Sequence, residues 1–118
     1  MVRPAPLSIV ETPEFLFATR KLVTRAERTL VVNFLAFNPT SDDLIQGTGG
    51  VRKLRWGLEG RGKRGGARVT YSNHDPAMPL FALTAYAKNE RADLIQQDRN
   101  DLRKLTAMLV EFFERNKP

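Results

Sequence analysis

The 118-residue chain has no cysteine, one histidine and one tryptophan. Without cysteine neither a disulfide framework nor a thiolate metal site can form, which agrees with a reducing compartment. No run approaches the roughly 18 apolar residues of a membrane span. Nor is the N-terminal Met1-Val2-Arg3-Pro4-Ala5-Pro6 followed by the apolar stretch of a secretory signal. The expectation is a soluble, cytoplasmic protein that does not engage a membrane. Repeats and internal linkers are lacking as well, so residues 1–118 read as one domain. A domain of that length buries a core without staples. No carboxylate pair or ligand cluster has metal-site spacing, which speaks against a metal-dependent nuclease; neither a cofactor nor a small-molecule substrate is expected.

What is present is an ordinary globular composition, 42% hydrophobic and 27% charged, with a net charge of +6. The location of that charge is the stronger signal. Between Val51 and Tyr71 stand Arg52, Lys53, Arg55, Arg61, Lys63, Arg64 and Arg68 against the single acid Glu59. That segment carries the whole excess, and the rest of the chain balances at 12 basic and 12 acidic residues. A positive field so concentrated attracts a polyanion. A solvated basic loop is the plainer alternative, although solubilising charge is usually mixed in sign.

Alternation over Leu7 to Glu11 predicts a short first strand. Thr12-Pro13-Glu14 then supplies an N-cap, a proline at the first helical position and an early acid. Thr24 and Glu27 form a capping box for a second helix that puts Leu30, Val31, Phe34 and Leu35 on one face. This helix should stop at Asn38-Pro39. After a flexible Gly47-Thr48-Gly49-Gly50 come three strand-like runs, Val51–Trp56, Ala67–Asn73 and Leu80–Ala87, which favour an antiparallel meander. Asp98 can cap a last helix whose Leu102, Leu105, Leu109, Phe112 and Phe113 stripe reads as core packing. The fold class expected is α+β, with two N-terminal helices and a C-terminal helix packed on one face of a small antiparallel sheet.

Within Val51–Trp56, taken as the middle strand, Leu54 and Trp56 fall on one face, Lys53 and Arg55 on the other. With the apolar pair against the helices, two cations project from the open face. Arg68 and Tyr71 belong to the neighbouring strand, and Tyr86-Ala87-Lys88-Asn89 ends the last one. The Gly-rich hairpin carries Arg61, Lys63 and Arg64 beside this surface, where an arginine fork fits phosphate oxygens. Cleavage of RNA requires a 2′-hydroxyl to lose its proton, the phosphorane charge to be stabilised and the leaving 5′-oxygen to gain a proton. His74, in a turn next to Asp75-Pro76, reads as a turn residue ahead of a catalytic one. What remains is stabilisation by crowded cations, with a lysine among like charges moving a proton. Composition alone does not choose this over simple RNA binding.

Three stretches carry a resemblance. They are Gln46-Gly47-Thr48-Gly49-Gly50-Val51-Arg52-Lys53-Leu54-Arg55, Gly60-Arg61-Gly62-Lys63-Arg64-Gly65-Gly66-Ala67-Arg68-Val69-Thr70-Tyr71, and Leu83-Thr84-Ala85-Tyr86-Ala87-Lys88-Asn89-Glu90. With the Glu11-Thr12-Pro13-Glu14-Phe15 start, nearly the whole chain resembles HigB-type toxins of the RelE/ParE superfamily. The resemblance implies a RelE-like fold and a ribosome-dependent mRNA endonuclease that cuts codons in the ribosomal A site by metal-free transesterification. It implies as partners the mRNA-bearing ribosome and a helix-turn-helix antitoxin of the HigA type. By position Lys53 and Arg55 match the paired basic residues of RelE-like enzymes, and Arg68 the arginine on the scissile phosphate. Lys88 is the candidate for proton transfer. Arg52, Arg61, Lys63, Arg64, Tyr71, Tyr86 and Asn89 are the candidates for RNA or ribosome contact. Asn89 stands where RelE has an arginine, and Ile95 where RelE has its catalytic tyrosine. Tyr86 or Tyr71 could replace that ring by stacking on a base, or could be packed core aromatics. Three other readings remain open: a ParE-like gyrase poison on the same fold, an RNA-binding module without catalysis, and a decayed toxin that still binds its antitoxin.

Overall fold

Thr12 explains how the N-terminus meets the rest of the chain. In a computed structural model, which describes residues 6–57, 66–75, 77–87 and 95–116, the Thr12 hydroxyl accepts from the Phe15 N–H at 3.2 Å. The same hydroxyl donates to the carbonyls of Ala82 at 2.8 Å and Leu83 at 3.1 Å. It thus caps helix α1 (Pro13–Leu22) and ties the start of that helix to strand β5 (Leu80–Ala87). Helix α2 (Arg25–Phe37) begins with the expected capping box, Thr24 with Glu27, and ends at Asn38.

The sheet contains β1 (Ile9–Glu11), β2 (Asp43–Leu44), β3 (Val51–Trp56), β4 (Ala67–Ser72) and β5, in the order β1-β5-β4-β3-β2. Strands β3, β4 and β5 form the expected antiparallel meander. The sheet as a whole is mixed, because β1 runs parallel to β5 with Ile9 opposite Leu80 and Glu11 opposite Ala82. The central strand is β4, not β3. Strand β2, in the polar stretch before the glycines, is a further edge strand paired with β3.

Leu54, Val69 and Ala85 are cross-strand neighbours, and they join Phe15, Val31 and Leu35 of the two helices in one core. Phe34 meets Trp56 edge-on, with ring centroids 5.8 Å apart. Leu30 was expected on this face but is exposed, and Val31 and Leu35 carry the contact. Residues of the other pleat, Val51, Thr70 and Ser72, are buried too. Helix α3 (Gln96–Arg115) lies against β3. A methyl built at Gly49 would sit 3.8 Å from Arg103 Cγ and 3.9 Å from Thr106 Cβ, and Thr106 is the buried residue of α3. Gly49 has φ of +75°, a conformation glycine adopts at little cost. We read α3 as covering the Val51 end of the second face, so the helices do not share one face.

Two expectations about α3 are corrected. Its N-cap is Ile95, and Asp98 sits three positions later, its carboxylate accepting the Ile95 N–H at 3.2 Å. Isoleucine cannot return the bond, so only half a capping box forms. The apolar stripe is only partly covered: Leu102, Leu109 and Phe113 are half-buried, whereas Leu105 is at the surface and Phe112 is 69% exposed, as is the nearby Met108 at 65%. Helical spacing marks an apolar face but not what covers it. Among the described residues no helix is long and apolar enough to cross a membrane.

Candidate nucleic-acid interface

The pleat decides which cations meet. Val51 is buried at one end of β3, and Lys53 and Arg55 follow on the same face at two-residue intervals. In the ladder Arg55 is the direct partner of Arg68, and Arg68 of Tyr86. Arg55, Arg68 and Tyr86 therefore form one row across β3, β4 and β5, about 10 Å from end to end at the usual strand spacing. Lys53 lies one pleat away, opposite Thr70. Arg55 is exposed, while Lys53, Arg68 and Tyr86 are half-buried.

Two arginines directly opposite each other are unfavourable in a ladder. Among the described residues few local bonds relieve them. Arg68 Nη1 donates to the Ala67 carbonyl at 3.2 Å, and Arg55 Nη2 stands 3.7 Å from the Asp43 carboxylate. An anion between the two forks, held by charge-assisted bonds, would satisfy both. A groove of about 300 Å³ between α1 and the Ala85–Ala87 end of β5, with Phe17 and Lys21 on its wall, runs up to Tyr86.

Two candidates fall elsewhere. Tyr71 is fully buried in the core with Phe15 and Leu35, because it shares the pleat of Val69 and faces the α1–α2 side. It cannot stack on a base, and its buried hydroxyl has no hydrogen-bond partner among the described residues. Arg52 shares the pleat of Leu54, away from Lys53 and Arg55. Its Nη1 donates to the Asp42 carbonyl at 2.6 Å and the Thr40 carbonyl at 3.4 Å, which holds the chain before β2. Arg61, Lys63, Arg64, Lys88 and Asn89 lie outside the described residues. Trp56, Ala67 and Ala87 stand side by side at one end of the sheet, the end that also holds Arg55 and Arg68. His74 is exposed in the turn past Ser72, whose Cα is about 13 Å along β4 from that of Arg68.

Two residues were missed from sequence. Asp43 is the ladder partner of Lys53, and Asp42 accepts the Arg55 backbone N–H at 2.9 Å through its side chain. The acidic pair stands just ahead of the basic segment, but its place beside the cations depends on β2 pairing. Among the described residues no three metal-ligating side chains gather. No protein-family model matches the chain.

Proposed function

We propose that this protein is a ribosome-dependent mRNA endonuclease, the toxin of a type II toxin–antitoxin pair, acting in the cytoplasm and restrained by a helix-turn-helix antitoxin. The fold is then the RelE-like one. The observation that supports this reading best is the Arg55–Arg68–Tyr86 row with Lys53 beside it: three cations gathered on one sheet face, two of them directly opposed. In the reaction the 2′-oxygen attacks the adjacent phosphorus and the bond to the 5′-oxygen breaks. The products are a 2′,3′-cyclic phosphate and a 5′-hydroxyl. Lys53, Arg55 and Arg68 hold the phosphate and stabilise the charge that grows on its oxygens, which commonly accounts for a large share of catalysis. Tyr86 offers a ring for a neighbouring base. Lys88, which follows the last residue of β5, is assigned the proton given to the 5′-oxygen.

The test is induced expression in a bacterium with growth followed and mRNA 5′ ends mapped. Growth arrest with cuts inside translated frames is expected, relieved by Lys53→Ala and by Arg68→Ala at equal protein level. Arrest with intact message and damaged DNA would instead identify a gyrase poison. Unimpaired growth, with salt-sensitive RNA binding in vitro, would leave a binding module.

A further inference from the structure

We infer that Asp43 is a catalytic carboxylate on the cationic face, the group that takes the proton from the attacking 2′-hydroxyl; this inference rests on the endonuclease reading above. Asp43 and Lys53 are direct ladder partners, so their side chains share a face and start about 5 Å apart. The Asp43 carboxylate also reaches to 3.7 Å from Arg55 Nη2. An anion therefore stands beside two of the three cations assigned to the phosphate. Among the described residues the charged groups that face it are Lys53 and Arg55 of β3, with Arg68 of β4 one strand further on.

Strand β2 has only two residues, too few to hold a register by its ladder alone. Side chains and flanking backbone secure it. The Arg52 guanidinium bonds the carbonyls of Thr40 and Asp42. The Asp42 carboxylate accepts the Arg55 N–H and, at 2.8 Å, the Asp43 N–H. On the other side the Ile45 N–H donates to Val51 at 2.9 Å. These bonds fix where Asp43 emerges.

Stability is a poor reason for that arrangement. Both side chains of the Asp43–Arg55 pair are about two-thirds exposed, and such pairs contribute between about 0 and 1 kcal/mol. For a surface that only binds RNA, a carboxylate here is a defect, since it repels the phosphate. It has a use where a proton must be removed next to a bound phosphate. In the step, the 2′-O–H proton passes to an Asp43 oxygen while the 2′-oxygen–phosphorus bond forms. The 5′-oxygen leaves with its electron pair and is protonated by the group assigned above. The cations then face the extra negative charge of the phosphorane.

Removing a like charge from a phosphate site tightens binding, while removing a proton acceptor slows the reaction. The two effects have opposite signs, which a purely structural role would not produce. Asp43→Asn and Asp43→Glu would be compared with the wild-type protein in single-turnover cutting of mRNA on programmed ribosomes. Binding would be measured with the same mRNA carrying a 2′-O-methyl group at the cut. Asp43→Asn should cut about 10²–10⁴-fold more slowly and bind the methylated message at least as tightly. Asp43→Glu should recover part of the rate. Cutting by Asp43→Asn within about threefold of wild type, or a parallel loss of binding and cutting, overturns the assignment of Asp43 alone. Absence of cutting by the wild-type protein removes the endonuclease reading itself, and this role with it.

Discussion

Arg68→Gln should stabilise the fold slightly while weakening RNA binding. Arg55 and Arg68 are direct partners in the β3–β4 ladder. Two unit charges about 7 Å apart repel by about 0.6 kcal/mol in water and about 2.4 kcal/mol at an effective dielectric of about 20. The Arg55 side chain is 64% exposed and has Asp43 beside it, so the lower figure is the relevant one. The variant loses the bond from Arg68 Nη1 to the Ala67 carbonyl, for which the glutamine amide can substitute in part. A net gain of about 0.5 kcal/mol follows, or about 2 °C in melting temperature for a domain of this size. On the proposed function the same change removes one charge-assisted phosphate contact to RNA. That costs about 1.5–3 kcal/mol, roughly 10- to 150-fold in affinity. It also lowers the slope of log affinity against log salt by about 0.7 on a single strand. Urea unfolding and RNA binding at several salt concentrations read both quantities. If Arg68→Gln lost more than about 1 kcal/mol of stability and bound RNA unchanged, the cations would be structural and the interface would lie elsewhere.

Other substitutions probe the placements that structure revised. Tyr71→Phe removes a buried hydroxyl that has no partner among the described residues, so unfolding free energy should stay level or rise by up to about 1 kcal/mol, with RNA affinity unchanged. A marked loss of RNA binding would contradict the core position of that ring. Phe15→Ala should cost about 3–5 kcal/mol in urea unfolding, because the ring is wholly enclosed by both helices and the sheet. Phe112→Ser should stay within about 0.5 kcal/mol and improve solubility, because that ring is mostly in water. Equal losses for the two would mean that the stripe of α3 is packed after all.

Much of the architecture was legible because it rests on local rules. Thr12-Pro13 and the Thr24–Glu27 box determine where α1 and α2 begin, and Asn38-Pro39 where α2 ends, through hydrogen bonds that span only a few residues. The period of two along Val51–Trp56 separated Lys53 and Arg55 from Leu54 and Trp56 for the same reason: the pleat is a property of one strand. Tyr71, open between base stacking and core packing, goes to the core by its parity with Val69, and Arg52 leaves the cationic face by its parity with Leu54. Asp98 was taken for the cap of α3, but its carboxylate works from the third helical position.

What the chain determined by itself, then, is the kind of each element, the face each residue takes within it, and a positive field confined to about a fifth of the length. Which strands become neighbours was left to tertiary structure. The parallel contact of β1 with β5 joins residues some 70 positions apart through Thr12. Pairing of β2 with β3 brought Asp43 to Lys53, and the β3–β4–β5 register set Arg55, Arg68 and Tyr86 in one row. Helical periodicity likewise could not say that α3 leaves Met108 and Phe112 uncovered. Register and coverage depend on the joint packing of distant segments, and no window of a few residues contains that information.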